Sequence, residues 1–294
     1  MSWFKNRYNK RSAKKLGWDP SWFDALAFNN DLVERIRTFQ LDHDLKVDGL
    51  CGMMTYRRKV ADREASPFVE EDLRKKNHGH IICAGEKVEI GWDKVDIDFI
   101  KEGCFSIQRK VRKPTMVVTH WDAALSAKSC KRILERRGIS THFVIDNDGT
   151  IVQLVDTNHV AWHAGRRRVN KASVGIDFSN AVYTKYQKTY ASRGHGHRPV
   201  VEGWRVHGRK IKPFLGFYPV QVEAYKQLLL ALSRHYGIEL ECPLDDDGKL
   251  LTGVHSPSRR GKFKGIVNHY NLTRGKWDTS GLQLDEILNE IRGK

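Results

Sequence analysis

From Pro114 onward, short apolar runs alternate with stretches of helical period, and this alternation constrains the fold more than any other feature of the chain. Pro114-Thr-Met-Val-Val-Thr-His120 reads as a buried strand, as do Ser173-Val-Gly-Ile-Asp-Phe178 and Ile266-Val-Asn-His269. Thr141-His-Phe-Val-Ile-Asp146 and Thr150-Ile-Val-Gln-Leu-Val155 flank Asn147-Asp148-Gly149. Those three residue types tolerate the positive φ of a tight hairpin, so the pair is read as antiparallel. Between the strands, Ser126 to Arg137 is a helix closed by Gly138, Pro219 opens a long helix ending near Gly237, and Leu282 to Ile291 closes the chain. Strands interleaved with helices predict an α/β fold with a central mixed β-sheet flanked by helices. Lys87-Val88-Glu89-Ile90 alternates like a further strand that this scheme does not place.

The first 66 residues have a different texture and read as mostly helical, with Asn29-Asn30-Asp31 as caps and Leu32, Ile36 and Phe39 on one face. Asp48-Gly49 and Gly52 signal a turn, and Thr55 to Arg63 is again helical in composition. The order Phe39-Gln40, Leu45, Asp48-Gly49, Gly52, Thr55 resembles the small three-helix peptidoglycan-binding module found at one end of many wall hydrolases. Asp44 stands where that pattern has Gly, and Met53 where it has Pro. The resemblance implies a wall-binding role for Phe39, Asp48, Gly49 and Thr55. The charged stretch that follows contains Pro67 and Gly79 and suits a linker. The expected organisation is a module at 1–66, a linker at 67–80 and a catalytic domain at 81–294.

The formal charge of +16 favours polyanionic partners, among them nucleic acid, anionic membranes and cell walls. No helix-turn-helix, zinc-finger or RNP-like pattern supports nucleic acid. No apolar run reaches the roughly 20 residues of a membrane span, so no stable membrane insertion is expected. The basic N-terminus lacks the apolar stretch of a secretory signal, so synthesis in the cytoplasm is expected. Five scattered cysteines without a CxxC pair argue for free thiols and against a disulfide framework.

Thirteen histidines are present, and two stand out by context: His120 at the end of an apolar strand and His269 in Ile266-Val-Asn-His269. With Asp278 they make a sound zinc set of two imidazoles and a carboxylate, although spacing alone does not select them. The stretch from Met116 to Leu282 resembles the zinc N-acetylmuramoyl-L-alanine amidases, the type 2 amidase and peptidoglycan recognition protein superfamily. The matching segments, in order, are Val117–His120; Ile139–Ile145 with Asp148–Ile151; Val160-Ala-Trp-His-Ala-Gly165; Ser173–Asp177; His269; and Lys276-Trp277-Asp278.

This resemblance implies one zinc ion per chain, held by His120, His269 and Asp278, and hydrolysis of the amide between N-acetylmuramic acid and L-alanine in peptidoglycan. Lys276 would stabilise the oxyanion by charge. Asp177 would move the proton; relatives resembling the wall-recycling enzyme have Glu there, one methylene longer. Thr141 stands where phage lysozyme-type members have a Tyr. Trp162 and His163 would contact substrate, or else pack beside the sheet, and His142 reads as structural. A wall anchor and a strongly basic surface suit a phage endolysin, acting as a monomer on the wall after release through a membrane hole. The alternatives are a recycling or remodelling amidase and a non-catalytic receptor, which typically lacks the third ligand.

Overall fold

The computed structural model describes residues 2–64 and 79–293; residues 67–78 of the expected linker lie outside the described residues. The central sheet has six strands: β1 Val95–Ile97, β2 Met116–Trp121, β3 Phe143–Ile145, β4 Ile151–Gln153, β5 Ser173–Phe178 and β6 Gly265–Asn268. Their spatial order is β6-β2-β5-β3-β4-β1. All neighbours are parallel except the β3–β4 hairpin, which turns at Gly149 with φ +83°. An added Cβ at Gly149 would also meet Val220 at 2.8 Å, so conformation and packing both demand glycine. The sheet is mixed, as expected from the sequence.

β2 and β5 are buried at every position, which explains their continuous apolar texture. Each face of the sheet has its own cover. Val117, Val174, Ile176 and Phe178 pack under a long helix, Pro219–Tyr236, and the closing helix, Leu284–Arg292. Val144 and Val152 on the opposite face pack under the helix Ala127–Arg137. That helix is capped by Ser126, whose side chain accepts from the Ser129 amide, and it ends at Gly138 with φ +62°. The alternation of a strand puts His120 on this second face, beside Asp177, its register partner on β5.

Three helices precede the sheet: α1 Ser2–Leu16, α2 Asn30–Asp42 and α3 Met53–Glu64, and we number Ala127–Arg137 α4. The α1–α3 unit does not stand apart from the rest. Leu16, Ile36, Tyr56 and Val60 share one apolar cluster with Cys130, Ile133 and Leu134 of α4. Buried Arg58 donates to the Ala181 carbonyl at 2.8 Å and lies 3.7 Å over the Tyr183 ring. Asp62 lies 3.2 Å from Lys59 and 3.5 Å from both His43 and Lys185. The site face of the sheet is therefore covered in two layers, α4 and then α1–α3.

The stretch after Ile81 forms a hairpin, His80–Cys83 with Glu86–Glu89, which the Gln153 side chain bonds to the sheet through both the amide and the carbonyl of Ile82. The long basic insertion after β5 carries two short hairpin-like pairings. Its buried Arg198 holds it down by donating to Asn147, Gly216, Ser179 and Gln221.

Candidate metal centre

His120 lies near the C-terminal end of β2, Asp177 at the matching place on β5, and His269 directly after β6. Outside the carboxyl ends of parallel strands, side chains leave the sheet with no further strand to cover them, so clefts form there. Asp278 arrives on the loop after His269. Thr279 pins that loop by donating to the Thr119 carbonyl at 3.2 Å and to the Asn268 side chain at 2.5 Å.

The three expected ligands converge. His120 Nδ1 and His269 Nδ1 are 3.0 Å apart, His269 Nδ1 and Asp278 Oδ2 are 2.8 Å apart, and His120 Nδ1 and Asp278 Oδ2 are 3.4 Å apart. Metal bonds of about 2.0–2.1 Å in a tetrahedron give edges of about 3.3 Å, so the triangle has the size of one face of a zinc site. Two imidazole nitrogens and a carboxylate oxygen facing one point are best satisfied together by a cation. Burial pushes the His269 imidazole down to about 4, which leaves it neutral at physiological pH with a lone pair to give. Burial alone would push the Asp278 carboxyl up, but His269, His120 and Lys276 hold it well below the ordinary range, as an anion. The donor set therefore fits a zinc ion in residue type, spacing and protonation. Among the described residues no other His/Cys/Asp/Glu trio converges in this way.

The two ligand nitrogens are Nδ1, so the Nε2 of His120 points the other way. It meets His163 Nδ1 at 3.0 Å, and His163 Nε2 meets Ser173 Oγ at 3.2 Å. Ser173 Oγ donates to the Val169 carbonyl at 2.7 Å. One proton order satisfies the whole chain: His120 Nε2–H to His163 Nδ1, His163 Nε2–H to Ser173, and Ser173 O–H to Val169. It fixes the His120 tautomer that presents Nδ1 to a metal. The His163 ring lies against Gly175, where an added Cβ would come within 2.6 Å of it. His163 thus sits beneath a ligand. His142, as expected, is structural: its Nδ1 accepts from the Gly175 amide at 2.9 Å.

His120, His269 and Asp278 open into a cleft of about 230 Å³ that Asp177, Lys276 and His163 also line. Burial raises the Asp177 carboxyl, against the pull of His120 and Arg57, and Cys130 Sγ approaches its Oδ2 at 3.7 Å. Trp162 lies outside this cleft, in an adjoining groove of about 660 Å³, with Ile139 shared between the two. Its indole N–H donates to Ser106 Oγ at 2.9 Å, and the side chain is partly exposed.

The four residues expected to meet the wall lie mostly inside the α1–α3 unit. Gln40 organises them: its Nε2 donates to Asp48 Oδ1 and to Thr55 Oγ1, each at 3.0 Å, and its Oε1 accepts from the Gly49 amide at 2.8 Å. Gly49 has φ +72° and lies against Val33, where a Cβ would come within 2.7 Å. Phe39 is buried and stacks on His43. This motif builds the turn between α2 and α3.

The cleft also contains residues that sequence reasoning missed. Met54, Arg57 and Arg58 of α3 line it, together with Arg137 of α4. No local signal marks the three α3 residues, because their helix lies far before the site in sequence: Arg57 meets the Asp122 backbone across 65 residues.

A curated protein of Rickettsia conorii that carries the name N-acetylmuramoyl-L-alanine amidase is 33% identical over 75 residues; this match covers 23% of the present chain and 28% of the relative, under a third of its length. Among solved structures, the endolysin amidase LysCS from Clostridium intestinale has 17% identity over 68% of this chain and 95% of its own, with a TM-score of 0.42. The amidase AmiD from E. coli, in complex with anhydro-N-acetylmuramic acid-L-Ala-D-γ-Glu-L-Lys, has 21% identity over 55% of this chain and 54% of its own, with a TM-score of 0.31. A family model described as N-acetylmuramoyl-L-alanine amidase matches residues 110–280, more than half of the chain and the whole of the trio described above, and the chain belongs to that family.

Proposed function

We propose that this chain is a zinc-dependent N-acetylmuramoyl-L-alanine amidase that hydrolyses the amide between N-acetylmuramic acid and L-alanine in bacterial peptidoglycan. The observation that carries the reading is the convergence of His120, His269 and Asp278 at the open end of the sheet, in a chain of this family. When bound there, a zinc ion supplies Lewis acidity toward the amide carbonyl and activates water for attack near neutral pH. His163 orients His120 through its Nε2. Lys276 places a positive charge where the carbonyl oxygen becomes negative. Asp177, buried and with a raised carboxyl, is suited to take a proton from the attacking water at its Oδ and pass it to the leaving nitrogen. The groove beside Trp162 is suited to the glycan, because a flat indole face packs against sugar rings.

The α1–α3 unit is proposed to bind wall peptidoglycan, and the whole chain to act as an endolysin on the wall after release through a membrane hole. Its support is the net charge of +16 and the Phe39–Thr55 motif. The test of activity is the appearance of new L-alanine amino termini in purified peptidoglycan, lost on chelation and restored by zinc. Peptidoglycan cleaved equally well in the presence of chelator would refute zinc dependence. For the wall-binding role, a chain lacking residues 1–66 should lose co-sedimentation with purified sacculi; unchanged sedimentation would remove that role.

A further inference from the structure

Two guanidinium groups line the cleft, and neither forms an ion pair among the described residues, although the buried Asp177 carboxyl lies within the field of both. Arg57 of α3 donates through Nη2 to the Asp122 carbonyl, and its Nε is buried without a hydrogen-bond partner. Arg137, in the last turn of α4, lines the same cleft and makes no side-chain hydrogen bond or ion pair among the described residues. Each lies within the other's field. Burial and then Arg57 push the Arg137 guanidinium down to about 10, against the opposing pull of Asp177 and Cys130. The nearby carboxylate, Asp177, is not within ion-pair distance of either. Two cations close together in a half-buried pocket, with one buried carboxyl nearby and no ion pair to either, leave donor capacity for a further anion.

The substrate offers such an anion on one side only. Once the lactyl group of the muramic acid is tied up in the amide, the glycan half has no carboxylate to present. The leaving half is a peptide, which ends in a carboxylate and can carry acidic side chains. The arginines line the cleft that holds the trio, whereas Trp162 lies in the adjoining groove, which shares Ile139 with the cleft and carries Arg167 and Lys171 of its own.

We propose that Arg57 and Arg137 form an anion subsite that binds a free carboxylate of the substrate's peptide, so that the N-terminal helices help to recognise the scissile substrate itself as well as the bulk wall. Fork-shaped guanidinium donors suit a carboxylate, and such charge-assisted pairs are stronger than neutral ones. The proposal rests on the amidase reading for the identity of the ligand.

The test is calorimetric binding of a short peptide that the reaction cannot consume. The probe is a tripeptide of L-alanine, D-glutamate and L-lysine, as the free acid and with its carboxyls amidated, titrated into the full-length zinc-loaded protein. Wild type should bind the acid about tenfold or more tightly than the amide. Arg57→Gln and Arg137→Gln should each bring that ratio to within about twofold, with affinity for the amide little changed. Arg137→Gln breaks no bond among the described residues, so it tests the claim even if Arg57→Gln disturbs the docking of α3. Equal binding of acid and amide by wild type, or a ratio retained in Arg137→Gln, overturns the subsite. Acid preference without any cleavage of peptidoglycan would leave the subsite standing and sink the amidase reading; cleavage without acid preference would do the reverse.

Discussion

At the scale of single residues, the site depends on one tautomer. The chain from His120 through His163 and Ser173 to Val169 works only if His163 can lie against a glycine. Gly175→Ala should therefore displace the His163 ring and weaken zinc binding, and His163→Ala should do so directly. Partners of this kind typically contribute about 10–100-fold in metal affinity. Competition titration with a chromogenic chelator measures it; unchanged affinity in both variants would remove the orienting role. Asp177→Asn separates chemistry from metal binding. It should keep its zinc while kcat falls about 100-fold or more, the usual contribution of a general acid–base group. Loss of zinc in that variant would instead make Asp177 a structural support. Much of this set was legible in the sequence through the family resemblance, because the segments that carry it, among them a histidine ending an apolar strand and a Lys-x-Asp run, are local patterns. The pairing of His163 with His120 was not, because it bridges 43 residues and is set by strand register.

At the scale of elements, the contact between α3 and the rest of the chain rests on a few polar groups around a shared apolar cluster. Asp62 lies among His43, Lys59 and Lys185. Burial would raise its carboxyl, but these three neighbours together hold it below the usual carboxylate range. A depressed folded-state pKa contributes stability that is present above the unfolded value of about 4 and is lost as pH falls through the folded value. Acid below about pH 4 should therefore weaken the docking of α3. In Asp62→Asn, the urea midpoint should depend less steeply on pH between about 2 and 4 than in wild type. Identical slopes would show that other carboxylates dominate. Arg58→Ala removes a buried side chain and leaves the Ala181 carbonyl unanswered, which should cost about 2–4 kcal/mol by urea unfolding. A cost below about 0.5 kcal/mol would mean that the Arg58 contact does not hold α3 in place. The hairpin at Gly149, the caps at Asn29 and Ser126 and the helix stop at Gly237 could all be read from sequence, because each is a local conformational requirement. The docking of α3 could not: Arg58 meets Ala181 across 123 residues, and an arginine followed by a lysine on a basic helix looks like solvated surface until its partner is known.

At the scale of the whole molecule, the chain joins two surfaces of different chemistry around one centre. One is an amidase sheet whose open strand ends present two imidazoles and a carboxylate. The other is a basic helical unit that covers the same face and reaches into its cleft. In the proposed function, this trio holds a zinc ion needed for cleavage of the muramyl–alanine amide. The most direct measurement is zinc content alongside release of L-alanine amino termini from purified peptidoglycan, for wild type and His269→Ala. Wild type should carry about one zinc per chain and cleave, and the variant should lose both. Cleavage by a wild-type protein free of zinc, or by His269→Ala at the wild-type rate, would contradict the proposed function.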